Sequence, residues 1–211
     1  MKKLALVSLL AVLVAAPSFA GILNSDEPGE LIVSGQYVVP GDGDFDIFDN
    51  AAGATLTYRE WFSFPWGVGI NAGVSSWQVN DDAKSYKYKA LRDFDGSAIV
   101  VPVGLSLYFN LIDWDNWNLI LGTGFQYLFV SSDVDVYNEA AKARQDIDIG
   151  GAILWNLEAE YEYMLTESAY ILGGLGYQVD AMRADTDYDG GDLRDTSFRG
   201  AYGRLGIKFL F

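Results

Sequence analysis

From Ile99 the segment IVVPVGLSLYF sets Ile99, Val101, Val103, Leu105, Leu107 and Phe109 on one face and Val100, Pro102, Gly104, Ser106 and Tyr108 on the other. A period of two is that of a β-strand, whose successive side chains point to opposite sides. PWGVGINAGVSS repeats it, with Val68, Ile70, Ala72 and Val74 opposite Gly67, Gly69, Asn71, Gly73 and Ser75. In LGTGFQYLF, Leu121, Phe125, Tyr127 and Phe129 oppose Gly122, Gly124, Gln126 and Leu128. In AYILGGLGYQVD, Ile171, Leu175, Tyr177 and Val179 oppose Tyr170, Gly174, Gly176, Gln178 and Asp180. Applied to the whole chain, the alternation predicts eight strands, over 31–40, 50–63, 67–79, 97–109, 117–130, 148–163, 169–180 and 197–211. Pro102 cannot donate to a ladder, so a bulge or ladder defect is expected there.

The connections alternate in length. Ser63-Phe64-Pro65-Trp66, the stretch from Asp113 to Asn116, and Met164 to Ser168 are short turns, whereas the connections near 41–49, 80–96, 131–147 and 181–196 are mostly longer and acidic. An even strand count with short turns at one end and long loops at the other is the pattern of a transmembrane β-barrel. A soluble β-sandwich also alternates with period two, but it wets its polar face. Here that face is rich in glycine and small residues, with charges in a few strands only, which suits a narrow enclosed lumen. Aromatic residues crowd the short-turn strand ends: Trp61, Phe62, Phe64, Trp66, Phe109, Trp114, Trp117, Tyr161, Tyr163, Phe209 and Phe211. Girdles of this kind sit at the lipid interface. The expected fold is all-β, an eight-stranded antiparallel up-and-down transmembrane β-barrel, with the Phe211 ring facing lipid.

The first twenty residues stand apart from this pattern. Lys2 and Lys3, the apolar run from Leu4 to Ala16 and the small-x-small Ser18-Phe19-Ala20 fit a cleaved secretory signal peptide. The expected organisation is residues 1–20 as signal peptide, 21–30 as a short N-terminal periplasmic segment and 31–211 as the barrel. No later apolar stretch approaches the ~18 residues of a membrane-spanning helix. Cysteine is absent, so disulfides and thiolate zinc sites are excluded. Without Lys2 and Lys3 the chain carries 12 Lys+Arg against 29 Asp+Glu, a net charge of -17. Such a chain repels nucleic-acid phosphates.

The signal peptide, the strands VPVGLSLYF and GGLGYQVD, and the closing YGRLGIKFLF together resemble the small eight-stranded outer-membrane barrels of the OmpA and OmpX type, over essentially the whole mature chain. The resemblance implies a place in the bacterial outer membrane, among its lipid and lipopolysaccharide. It also implies that the alternating ending, Leu205, Ile207, Phe209 and Phe211, is the C-terminal signature recognised by the outer-membrane assembly machinery.

Eight strands enclose a lumen about filled by side chains. The predicted inward set includes Arg59, Asn71, Gln126, Asn156, Glu158, Glu160, Glu162, Arg204 and Lys208. Three glutamates in register on one strand repel one another unless cations approach or some are protonated. Arg59, Arg204 and Lys208 are the partners at similar depth, so a structural ion-pair network is expected. A gated cation path is the functional alternative. The chain has no histidine, which rules out a Ser-His-Asp triad. A carboxylate pair drawn from Glu158, Glu160 and Glu162 would need a substrate that a filled lumen does not admit. No enzyme activity and no cofactor are therefore expected, apart from a candidate Ca2+ site in the fourth outer loop. There, DTDYDGGD places Asp185, Asp187 and Asp189 before Gly190 at the spacing of the first half of an EF-hand loop, with Thr196 where its bidentate Glu would stand. GDGDFD, with Asp42, Asp44 and Asp46, is a weaker version. In the second loop Lys84, Lys87, Lys89 and Arg92 interleave with Tyr86 and Tyr88, which reads as a protruding hairpin or a lipopolysaccharide contact. The sequence thus points to a non-enzymatic outer-membrane barrel with a structural or surface-interaction role through acidic extracellular loops. The alternative is a narrow porin-like conduit for ions or small hydrophobic solutes.

Overall fold

Segments that alternate bulky apolar residues with glycine and polar residues become strands here, and the Phe-Pro, Asp-Asn and Glu-Ser sequences between them become turns. The computed structural model describes residues 28–41, 47–80, 91–188, 191–192 and 195–211. In chain order the strands are β1 Glu30–Pro40, β2 Phe48–Ser63, β3 Trp66–Val79, β4 Leu91–Trp114, β5 Trp117–Asn138, β6 Ala143–Ile149, β7 Ala152–Thr166, β8 Ala169–Met182, β9 Thr186–Tyr188, β10 Gly191–Asp192 and β11 Gly200–Leu210. All belong to one 11-stranded antiparallel sheet. The circuit β1-β2-β3-β4-β5-β7-β8-β11 closes on itself where β11 pairs with β1 from Glu30↔Leu210 to Pro40↔Gly200. These eight strands form the barrel, and closure leaves its wall without a free edge. The other three, β6, β9 and β10, extend the wall beyond one end.

The outer face is oily. Leu175 and Leu205 are each 74% exposed, and Leu105, Leu157, Phe125 and Phe129 are likewise turned outward. A sandwich would have buried these positions. Each such side chain left in water forgoes about 1.5–3 kcal/mol of burial, so a face made of them needs hydrocarbon against it. Phe62, Phe64, Trp66, Trp114, Tyr161, Tyr163, Phe209 and Phe211 form the exposed aromatic band at the short-turn end. Trp114 and Trp117 meet edge to face at 4.9 Å, and Trp117 packs on Tyr161 at 5.5 Å. Trp61 differs from the expectation: it points inward and is buried, because it lies two residues from Arg59 on the same face.

Several boundaries depart from the sequence reading. β4 and β5 run well past the predicted 97–109 and 117–130, and residues 131–147, expected as a loop, form the tip of a hairpin with β6. The single strand predicted over 148–163 is two, separated by Gly150-Gly151. There β5 changes partner, from β7 up to Leu128↔Ala152 to β6 from Val134↔Ile147. A Cβ on Gly151 would stand 2.3 Å from Tyr127 Oη and 3.0 Å from the Leu128 carbonyl, so any other residue here requires the Tyr127 ring to move aside. The last strand begins at Gly200, not 197, because Ser197 Oγ and the Phe198 amide are bound to Asp180. Finally, β1 begins at Glu30, which draws the end of the predicted periplasmic segment into the wall. The predicted signal peptide lies outside the described residues.

Pro102 produces a ladder defect without a bulge. On the β3 side the pairing passes from Ala72↔Val103 to Ser75↔Val100, skipping two positions in unbroken register. On the β5 side Pro102 stands in register opposite Leu128.

Candidate functional site

The lumen is built in three layers, each traceable to the inward-facing alternate residues. Toward the short turns, β7 contributes Glu158, Glu160 and Glu162, which share a face because they are spaced by two. Arg59 on β2, Arg204 and Lys208 on β11, and Glu30 on β1 face them, all buried. Arg59 is 0% exposed and forks to three carboxylates: Nε donates to Glu30, Nη1 to Glu160 Oε1 at 2.9 Å and Nη2 to Glu162. Arg204 Nη2 donates to Glu158 Oε1 at 2.8 Å and to Glu160. Lys208 Nζ donates to Glu30 Oε1 at 3.0 Å and to Glu162 Oε2 at 2.5 Å. Neutral donors complete the set: Tyr202 Oη to Glu158 at 3.0 Å, Trp61 Nε1 to Glu30 at 3.0 Å and Asn118 Nδ2 to Glu162 at 3.3 Å. The Arg59 guanidinium lies 4.9 Å from the Tyr108 ring and 5.2 Å from the Trp61 ring, and Lys208 Nζ lies 4.1 Å from Tyr170. Charges this deep persist only when paired and hydrogen-bonded. The network fills the bore, forming a plug.

Above the plug is a polar chamber of about 20 Å³, lined among others by Asn71, Gln126, Asn156, Gln178 and Arg204, with room for about one or two water molecules. Asn71 Nδ2 donates to Ser106 Oγ across its wall at 2.9 Å. Next comes a cavity of about 30 Å³ with a mixed lining, Gln36, Gln126 and Gln178 beside Trp77, Val100 and Leu128 among others. Beyond it an apolar cluster closes the long-loop end. Phe198 from the segment before β11 stacks on Phe48 at 5.4 Å and meets Trp77 edge to face at 5.1 Å. The inner face therefore passes from charged and polar in its short-turn half to apolar at the long-loop end. Alternation places Val100 and Leu128 on the polar face and does not show that they form an oily seal.

All six residues of the expected ion-pair network, Arg59, Glu158, Glu160, Glu162, Arg204 and Lys208, meet in the plug. Sequence reasoning missed Glu30, which binds both Arg59 and Lys208. The signal was available: Glu30, Ile32, Ser34 and Gln36 continue the inward period of β1 by one step. Leu205, Ile207, Phe209 and Phe211 line the outer face of the last strand. Phe211 exchanges backbone hydrogen bonds with Gly29, and its ring lies 6.1 Å from that of Tyr58.

The acidic loops are described in part. Asp187 stands opposite Asp148 of β6 and Asp192 of β10. Between Asp185 and Asp187, Thr186 Oγ1 shares a 2.8 Å hydrogen bond with Thr196 Oγ1 and accepts from the Thr196 amide. Asp189, Asp42, Asp44, Asp46 and the lysines of the second loop lie outside the described residues. Among the described residues, no three acidic, histidine or cysteine side chains are grouped to hold a metal ion.

No protein-family model matches the chain, and no curated protein matches it in sequence. Solved structures do match. The outer membrane protein OprG from Pseudomonas aeruginosa is similar at a TM-score of 0.65 and 20% identity, over 88% of this chain and 97% of that one. A major outer membrane protein from Thermus thermophilus aligns at 0.54 and 14% identity, over 87% and 99%. The E. coli outer membrane protein W aligns at 0.52 and 16% identity, over 89% and 100%. The closed eight-stranded antiparallel wall seen here is the fold of the small outer-membrane β-barrels, shared with these proteins over 87–89% of this chain.

Proposed function

We propose that the chain is a non-enzymatic outer-membrane barrel with a sealed lumen, whose role is structural or interactive and is exercised through its acidic long-loop end. The short turns would face the periplasm, the outer face would contact lipid and lipopolysaccharide, and the C-terminal strand would be read by the assembly machinery. The observation that carries the reading is the double closure of the bore, by ion pairs below and by Phe48, Trp77 and Phe198 above. Cavities of about 20 and 30 Å³ admit water but no substrate. The test is recording in planar bilayers. The purified barrel is expected to show no steady conductance. A steady open state altered by Glu160→Gln would instead make it an ion conduit.

A second reading, a conduit for small hydrophobic solutes, is favoured by the ladder gap beside Pro102. The cavity there is lined by inward Trp77, Val100 and Leu128 and also by Val74, which belongs to the outer face. Proteoliposomes distinguish the two. A conduit should admit a small aromatic solute faster than empty liposomes do, and Pro102→Val, which restores a donor to the ladder, should slow it. Equal uptake with and without protein removes this reading.

A further inference from the structure

The plug is unbalanced. It holds four buried carboxyl groups, on Glu30, Glu158, Glu160 and Glu162, against three bases, on Arg59, Arg204 and Lys208. Fully ionised, it would carry one excess negative charge inside a wall backed by hydrocarbon. A buried charge without a counter-charge is costly, and a carboxyl group escapes that cost by keeping its proton. Tyr108 on β4, Tyr170 on β8 and Tyr202 on β11, which pack against the plug, are phenols and bring no charge at neutral pH. The surplus therefore falls on one of the four glutamates.

The contacts single out Glu160. It is the middle of the three glutamates of β7, with a like group two residues away on either side, and it is 1% exposed. Glu30 and Glu162 each accept from three donors, two of them cationic: Arg59, Lys208 and Trp61 at Glu30, and Arg59, Lys208 and Asn118 at Glu162. Carboxyl groups held in this way stay ionised, because positive charges and hydrogen bonds favour the carboxylate. Glu158 accepts from Arg204 and Tyr202 and borders the polar chamber, which has room for water. Arg59 spans Glu160 and Glu162, Nη1 on the first and Nη2 on the second, and the two carboxyl groups lie within hydrogen-bonding reach of each other. Two carboxyl groups bond to one another only if one of them keeps its proton and donates it. We propose that Glu160 is that donor, a neutral acid bonded to the Glu162 carboxylate, so that the plug closes the bore with three carboxylates against three bases. Loss of the proton would return one unmatched charge to the lumen, so closure of the barrel is tied to a proton bound at Glu160.

The test uses the whole barrel, labelled with 13C and 15N and folded into phospholipid bilayers at neutral pH. Solid-state NMR separates the Cδ of a carboxylic acid from that of a carboxylate and correlates each with nearby guanidinium nitrogens. Glu160 has a distinct address, since it alone of the four glutamates bonds to both Arg59 and Arg204. Conductance reports the seal and the Cδ shift reports the proton, so either can fail without the other. The expected result is an acid shift at the Cδ in contact with both arginines and carboxylate shifts at the other three. A carboxylate shift at that carbon overturns the proposal, and so does an acid shift at a carbon in contact with only one of the two arginines. Infrared spectroscopy gives a second readout. Glu160→Asp keeps four carboxyl groups against three bases but draws the acid back from Glu162, and is expected to move the acid carbonyl band. An acid band left in place by Glu160→Asp overturns the proposal as well.

Discussion

Arg59 on β2 reaches Glu160 on β7 across the lumen, Nη1 to Oε1 at 2.9 Å, although the two are 101 positions apart in the chain. The same guanidinium holds Glu30 and Glu162, so one side chain ties two walls of the barrel together near the seam where β1 meets β11.

Removing Arg59 would leave three carboxylates without their shared base. Breaking a buried pair in this way costs about 3–5 kcal/mol. Arg59→Met is therefore expected to lower the urea midpoint of the folded barrel sharply, followed by the heat-dependent shift in gel mobility. Arg59→Lys should recover only part of the loss, because a point charge cannot fork to three acceptors.

The outer face should respond to charge by depth. Leu175 lies near the middle of β8 and points outward. Leu175→Arg is expected to cost about 2–4 kcal/mol in a lipid bilayer, whereas Leu165→Arg, beside a short turn, should cost about 0–1 kcal/mol. Equal penalties at both positions would speak against a membrane around this face. Folding titrations in phospholipid vesicles measure both.

The chamber above the plug depends on a missing side chain. A Cβ on Gly176 would lie 2.4 Å from Tyr202 Cζ and 2.7 Å from the Leu157 carbonyl. Gly176→Ala is expected to displace Tyr202 from Glu158 and to destabilise by about 1–3 kcal/mol, as overpacking does. Tyr202→Phe in the same chain should not restore stability, because the clash with the Leu157 backbone remains.

Phe211 separates folding from assembly. Its ring is 53% exposed and touches the Tyr58 ring, so deleting it should cost a purified, refolding chain only about 0.5–1.5 kcal/mol. If the last strand is the assembly signature, the same deletion should sharply reduce the folded barrel recovered from cell envelopes. Comparable losses in both experiments would leave Phe211 a merely structural residue.

Most of the barrel was legible because period-two alternation records which face meets hydrocarbon, and turns of Pro, Asp and Asn mark where the chain reverses. The inward placement of Glu158, Glu160 and Glu162 follows from that rule alone, as does that of Arg204 and Lys208. The apolar seal was not legible. Val100 and Leu128 lie on the same strand face as Gly104 and Gly124, and alternation cannot say that one half of an inner face is oily. Phe198 lies outside any strand, and its burial depends on the contacts of its backbone with Asp180 and Gln178. Trp61 reads as a girdle residue because neighbouring aromatics hide its phase, set by Arg59 two residues before it. The hairpin of β5 and β6 reads as a loop because its charged residues, Asp133, Asp135, Arg144 and Asp146, have the composition of one.

The account depends most on what covers the outer face. Because the chain has no cysteine, Leu205→Cys can carry a single nitroxide label at a defined place on that face. With the protein folded into phospholipid bilayers, the label should relax readily with dissolved oxygen and weakly with a water-soluble nickel chelate. Free access of the chelate to the label would show water, not hydrocarbon, against β11, and would contradict the membrane barrel described here.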